Sequence, residues 1–317
     1  MPQEDEPFEF FRGFSEIFIS IGLIILLAGV TALLAAFGGF AVMTLVPLGS
    51  AAIAWWWATY FTLKRRMTLP SMVLATAFGA GVLIFGFSLL TDNGLGDRGV
   101  AISAFLLATL GMVLWYRRFR LPFAAFLTGC LALGVVYSLT ASAATLYALT
   151  GAGSGYDALF DLGKSPAFAG ATLFFGIVAF VIGMWFDTRD PHRLGRHSAT
   201  AFWCHLLAAP ALVNTVAITL LNGAGIGLLA LALLLITLLA LVIDRRSFLT
   251  AAIAYIAILI AWVMGDGEGT DWIYILLVLG GFITAIGTWW VQLRAWVMGM
   301  LPDFPGKSSL PPYTSTE

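Results

Sequence analysis

Charge is scarce in this sequence. Asp, Glu, Lys and Arg make up 10% of its 317 residues, where a soluble domain carries roughly 25%. Apolar residues make up 60%, so there is too little polar surface to cover one water-soluble core. The chain must be solvated by lipid, and its continuous apolar runs favour helices over a barrel. A net charge of −1 says nothing about nucleic acid, but no basic patch with interleaved aromatics occurs, so no nucleic-acid partner is expected. The two cysteines, Cys130 and Cys204, lie in apolar runs and read as buried structural residues.

Catalytic signatures are missing too. No Walker loop, HExxH or GxSxG sequence occurs, so no catalytic residue is assigned and the chain is not read as an enzyme. Glu16, Asp187 and Asp244 fall at the ends of apolar runs, and mid-depth charge is absent. Buried charge marks proton and ion paths, so its absence argues against a pump or an ion-coupled carrier.

What the sequence has is hydrophobic length. Ten apolar runs fall near 16–37, 40–63, 71–90, 98–116, 122–148, 166–186, 199–221, 224–243, 248–264 and 272–293. Most approach the ~20 residues needed to cross a bilayer. The fold class is therefore all-α, a polytopic membrane protein of about ten spans. A single transmembrane domain over 16–296 follows an acidic segment, 1–15, which lacks the basic start of a secretory signal. A cytoplasmic tail, 297–317, follows the domain, and its Pro- and Ser-rich part from Pro302 to Glu317 reads as mobile. Placing the N-terminus in the cytoplasm puts fourteen of the sixteen Lys and Arg residues on that side, leaving only Arg98 and Lys164 outside. The positive-inside rule demands this asymmetry. Arg65, Arg66, Arg117, Arg118, Arg245 and Arg246 are the topogenic residues of this arrangement, and both termini are cytoplasmic. The segment from Arg65 to Pro70 resembles that from Arg117 to Pro122, with a fainter echo from Arg245 to Thr250. The pattern reads either as a parallel hairpin repeat or as ordinary cytoplasmic turns.

Gly223 with Gly227, and Gly281 with Ala285, form small-xxx-small pairs suited to close helix packing. Tryptophans 55, 56, 57, 115, 185, 272, 289 and 290 stand near span ends and read as interface anchors. The GDGEGTD turn at 265–271 lacks the ligand pattern of a calcium loop.

One stretch, 187–214, holds all three histidines (His192, His197, His205) and Cys204. Their spacing matches no standard cluster, so neither metal nor cofactor is assigned. In its linker, Asp187 and Asp190 near Arg189 and Arg193 read as a solvated turn, with engagement of lipid phosphates as the alternative. Ser198 reads as the cap of the next span. Within that span Pro210 removes a backbone donor and is expected to kink the helix. Ser198, Trp203, His205 and Asn214 are the candidate binding residues. Ser198 and His205 are seven apart and share a face, whereas Asn214 points elsewhere in a straight helix. The competing reading makes His205 and Asn214 bridges to neighbouring helices.

The segment Ser198–Pro210, with its AFWxHLLAAP core, resembles a stretch found in uncharacterised multi-pass bacterial membrane proteins. The DRRSFL segment is similar to the same group. The resemblance implies a bacterial cytoplasmic (inner) membrane and no particular activity. The expected partners are the lipid bilayer and a small-molecule solute; oligomeric state stays open. Two functions follow: a permease for a weakly polar or amphiphilic solute, or a non-transporting membrane scaffold. An intramembrane enzyme using His205 lacks a second catalytic group.

Overall fold

The computed structural model describes residues 13–37, 40–91, 94–141, 159–193, 195–223, 225–245, 271–303, 307, 310 and 311. Among these residues the chain is all-α. Six helices are long and apolar enough to cross a membrane, which makes this a multi-pass membrane protein. The expected run at 248–264, the 265–271 turn and the acidic N-terminal segment lie outside the described residues, apart from Asp271 and residues 13–15.

The helices group into two compact units. The first is Asp5–Ala141; the second is Ser142–Glu317 with Met1–Glu4. In the first, α1 (Phe14–Phe37), α2 (Phe40–Ala58), α3 (Thr68–Leu90), α4 (Gly96–Phe119) and α5 (Pro122–Thr140) follow in order. Consecutive helices pack as antiparallel neighbours, and α1 also packs on α3. A six-residue π-helical segment, Thr59–Lys64, extends α2.

Two features hold this unit together. Rings of Trp55, Phe78, Trp115 and Phe119 pack with centroids 4.5–5.5 Å apart, and Trp115 is fully buried. Edge and offset ring packing adds to area burial. Glycines then let backbones meet: a Cβ on Gly81 would stand 2.6 Å from the Pro47 carbonyl oxygen of α2, and one on Gly86 would stand 3.0 Å from Ala104 Cα of α4. At the base of the unit the Glu16 carboxylate accepts the amides of Thr68 (3.1 Å) and Leu69 (3.2 Å). It thereby supplies the first turn of α3 with the acceptor that helix N-termini require.

The two arginine turns lie in this unit. Arg65, Arg66, Arg117 and Arg118 are all exposed, as charges outside a membrane must be. Arg66 and Arg120 both adopt left-handed backbone, with φ of 53° and 51°. They do not correspond in register: Arg66 precedes Pro70 by four residues, whereas Arg120 precedes Pro122 by two. The turns share a left-handed arginine but not its position.

The second unit contains α6 (Pro166–Asp187), α7 (Arg196–Gly223), α8 (Ile226–Ile243), α9 (Asp271–Thr288) and α10 (Trp290–Met300). Its dominant pairing is α6 against α7, made through small residues. Ala169, Thr172, Gly176, Ala179 and Gly183 line the buried face of α6, opposite Ala201, Ala208 and Ala211 of α7. A Cβ on Gly176 would meet Leu212 Cγ at 2.9 Å.

The glycine pairs expected to pack helices meet no neighbour among the described residues. Among the described residues nothing lies within 4 Å of where a Cβ on Gly223, Gly227 or Gly281 would stand. The contacts fall instead on glycines that oppose bulky neighbours, because close approach depends on both surfaces. The tryptophans divide likewise: Trp56, Trp185 and Trp289 are exposed as anchors would be, while Trp115 and Trp290 are buried in packing. Of the cysteines, Cys204 is buried and Cys130 is exposed on α5.

Candidate functional site

Asp187 is the last residue of α6, so its carboxylate stands where the helix gives way to the linker. His205 lies nine residues into α7, about 13 Å from its start at 1.5 Å per residue. The two helices are so close here that a Cβ on Gly183 would come 2.8 Å from the imidazole. Glycine at 183 is thus what makes room for the ring. Across that gap His205 Nε2 lies 2.9 Å from Asp187 Oδ2. Facing a carboxylate oxygen, that nitrogen is the donor.

Arg245, two residues beyond the end of α8, completes the cluster. Its Nε donates to Asp187 Oδ2 at 3.0 Å and its Nη2 donates to Asp187 Oδ1, the two-pronged geometry that suits guanidinium and carboxylate. The same Nη2 reaches the carbonyl (3.1 Å) and hydroxyl (3.3 Å) of Ser198. Asp187 is 6% exposed, Arg245 1% and His205 0%. One carboxylate therefore ties α6, α7 and the end of α8 together, away from water.

A second cluster adjoins it in sequence. Asp244 pairs with Arg193 of the linker at 3.0 Å and accepts from Trp290 Nε1 of α10 at 2.7 Å. Arg294 of α10 donates to the Leu241 carbonyl at 3.2 Å and to the Pro311 carbonyl at 2.6 Å. The tail expected to be mobile is docked at Pro311, which is buried, because Arg294 offers it a buried donor.

The far end of the α6–α7 hairpin carries its own polar knot. Asp161 accepts from Asn222 Nδ2 at 2.9 Å and from the Gly163 amide at 2.8 Å. The Thr219 hydroxyl accepts the Leu162 amide at 3.0 Å. Burial pushes the Asp161 carboxyl up, but the Asn222 bond, the Gly163 amide and the Lys164 charge outweigh it and hold it below its ordinary value.

The sequence-derived candidates scatter around this geometry. Ser198 and His205, which share a face, do meet in the ionic cluster, through Arg245 and Asp187. Trp203 is buried with its ring against Phe202, and Asn214 is half-buried farther along α7; neither takes part in the cluster's hydrogen bonds given above. Helix α7 runs without interruption through Pro210, which is exposed. Ser198 is not the cap of α7. The acceptor is Asp190, whose Oδ2 takes the amides of Gly195 (2.7 Å) and Ser198 (3.4 Å).

Arg245 requires the largest correction. Its place in a basic turn marks it as topogenic, yet it is buried and bound to a carboxylate 58 residues away. Arg246 lies outside the described residues. Sequence reasoning missed Asp187 and Asp244 because each stands at a helix end, where a charge is ordinarily solvated; Arg193 lies in the linker and Arg294 within α10, and the partners of both become visible only in the packing. The available signal was His205 itself: a buried imidazole in an apolar helix needs a partner, and Asp187 closes the preceding span.

Among the described residues no three His, Cys, Asp or Glu side chains gather as a metal site. His192, on the linker, and His197, in the first turn of α7, are exposed, apart from buried His205. Set against known protein families, curated proteins and solved structures, the chain matches none.

Proposed function

We propose that this membrane protein is a non-enzymatic, cofactor-free permease for a weakly polar or amphiphilic solute. On this reading it resides in a bacterial cytoplasmic membrane with both termini inside. The observation that carries the reading is the joint burial of Asp187, His205 and Arg245 at one end of the α6–α7 hairpin. Removing such groups from water costs several kcal/mol per ion, and apolar side chains of similar volume often hold an interior as well or better. Such a cluster anchors helices, and unlike an apolar contact it can also be released. Ionic contacts differ from leucine packing because they can be exchanged for water, a proton or a polar group on a solute. A gate beside a transport path needs that property.

A second reading, a non-transporting scaffold, is favoured by the Asp161–Asn222 knot. It fastens the far end of the same hairpin, as a rigid element would require. Purified protein in detergent, melted against a panel of small neutral and amphiphilic metabolites, separates the two. A solute held at about a hundred times its dissociation constant stabilises the fold by about 2.7 kcal/mol. The permease reading expects at least one chemical class to do so, and that class to enter proteoliposomes containing the protein. If no compound shifts melting and none enters, the scaffold reading replaces it.

A further inference from the structure

We infer that Trp185, Arg189 and the exposed cations from the linker after α6 into the first turn of α7 form a binding site for the headgroup of an anionic phospholipid. The inference does not depend on the permease reading.

Along α6, Phe174, Val178, Val181 and Trp185 recur at four-, three- and four-residue steps, which places them on one face. All are outward-facing, from Phe174 at 68% exposed to Val178 at 39%. In a helix able to cross a membrane, this is the face that acyl chains cover. The next step of four is Arg189. Helical bonding carries the chain that far, with the Thr188 amide on the Met184 carbonyl (2.9 Å) and the Arg189 amide on the Phe186 carbonyl (3.2 Å). The Arg189 guanidinium then lies over the Trp185 ring, 3.6 Å from its centre. Indole prefers the headgroup level of a bilayer. A guanidinium lying over the ring keeps N–H groups for a phosphate. A lipid lying along the α6 stripe would bring its phosphate to those groups.

The charge balance of the linker points the same way. Its sequence alternates acid and base and looks self-neutralised, but the structure spends the acids elsewhere. Asp187 is taken by Arg245 and His205, and Asp190 by the amides of Gly195 and Ser198. Arg193 is committed to Asp244. Arg189 and Arg196 remain exposed, and neither is ion-paired among the described residues. Exposed His192 and His197 stand between and beside them, His197 stacked on Phe186 at 5.9 Å. At the start of α7 the Asp190 carboxylate already takes the amides of Gly195 and Ser198. Two uncompensated guanidiniums beside an interfacial indole fit a phosphodiester.

The test uses full-length protein in a neutral maltoside detergent. Phosphatidylglycerol and phosphatidylcholine of identical acyl chains are titrated, and bound lipid is counted by native mass spectrometry. Wild type is expected to prefer phosphatidylglycerol. Arg189→Gln should cut that preference about fivefold, and adding Arg196→Gln should cut it about as much again. Trp185→Leu should weaken it as well. Arg117→Gln with Arg118→Gln, removing two exposed arginines from another turn, should leave it unchanged. The altered side chains are exposed, so melting temperatures matching wild type verify the fold. Equal binding of the two lipids overturns the inference, as does a preference that survives the Arg189/Arg196 variant. So does an equal loss in the Arg117/Arg118 variant, or displacement of the lipid by millimolar inorganic phosphate.

Discussion

The two units are made of the same material and fastened differently. Asp5–Ala141 is joined by shape: four aromatic rings around Trp115 and glycines that admit neighbouring backbones. Ser142–Glu317 is joined by small residues along α6 and α7, then by charge at the hairpin end. Lipid tails are as apolar as leucine, so burial of apolar surface alone gives membrane helices little reason to associate. Packing shape and polar bonding must supply that reason, and each unit leans on one of them.

The contrast can be broken at its strongest points first. Arg245→Ala leaves the Asp187 carboxylate buried with only His205 from the cluster, and should cost about 3–5 kcal/mol in detergent unfolding. Trp115→Ala removes the centre of the ring cluster and should cost about 3–5 kcal/mol through the cavity it leaves. Trp115→Phe should recover part of that loss; no conservative swap at Arg245, lysine included, should do so well, because only guanidinium makes the two-pronged bond. Gly183→Ala should cost about 1–3 kcal/mol, since its methyl would sit against the His205 ring. Glu16→Ala, which uncaps α3, should cost about 1 kcal/mol by thermal melting.

The smallest effect is a pH dependence at Asp161. Its carboxyl is held below its ordinary value in the fold. The stability it contributes is therefore present above the ordinary carboxylate value, about pH 4, and is lost as pH falls through the depressed native value. The melting advantage of wild type over Asp161→Asn should shrink as the solution is acidified through that range. A gap that stays constant there would contradict the assignment.

Hydropathy made the helices legible, because a lipid-solvated span must be long and apolar whatever it packs against. It gave no view of what lies between helices. Gly183 and Gly223 are both helical glycines in apolar sequence, yet among the described residues only Gly183 opposes a ring that requires it. Arg118 and Arg245 both sit in basic turns; Arg118 stays in solvent, while Arg245 folds back onto Asp187. That choice depends on whether an acceptor is buried within reach, which is a fact of tertiary packing. The candidate site was half legible for the same reason. His205 and Ser198 stood out as polar groups in apolar sequence, whereas Asp187 and Arg245 were concealed by standing where charges are ordinary.

A double-mutant cycle tests the central claim, that Asp187 and Arg245 form one buried unit joining three helices. Unfolding of wild type, Asp187→Leu, Arg245→Leu and the double variant would be measured in the same detergent. The account predicts that each single change is costly and that the double variant loses less than their sum, a coupling of about 1–3 kcal/mol. Losses that simply add would mean the two side chains act independently, and the ionic cluster would no longer explain how the second unit is held.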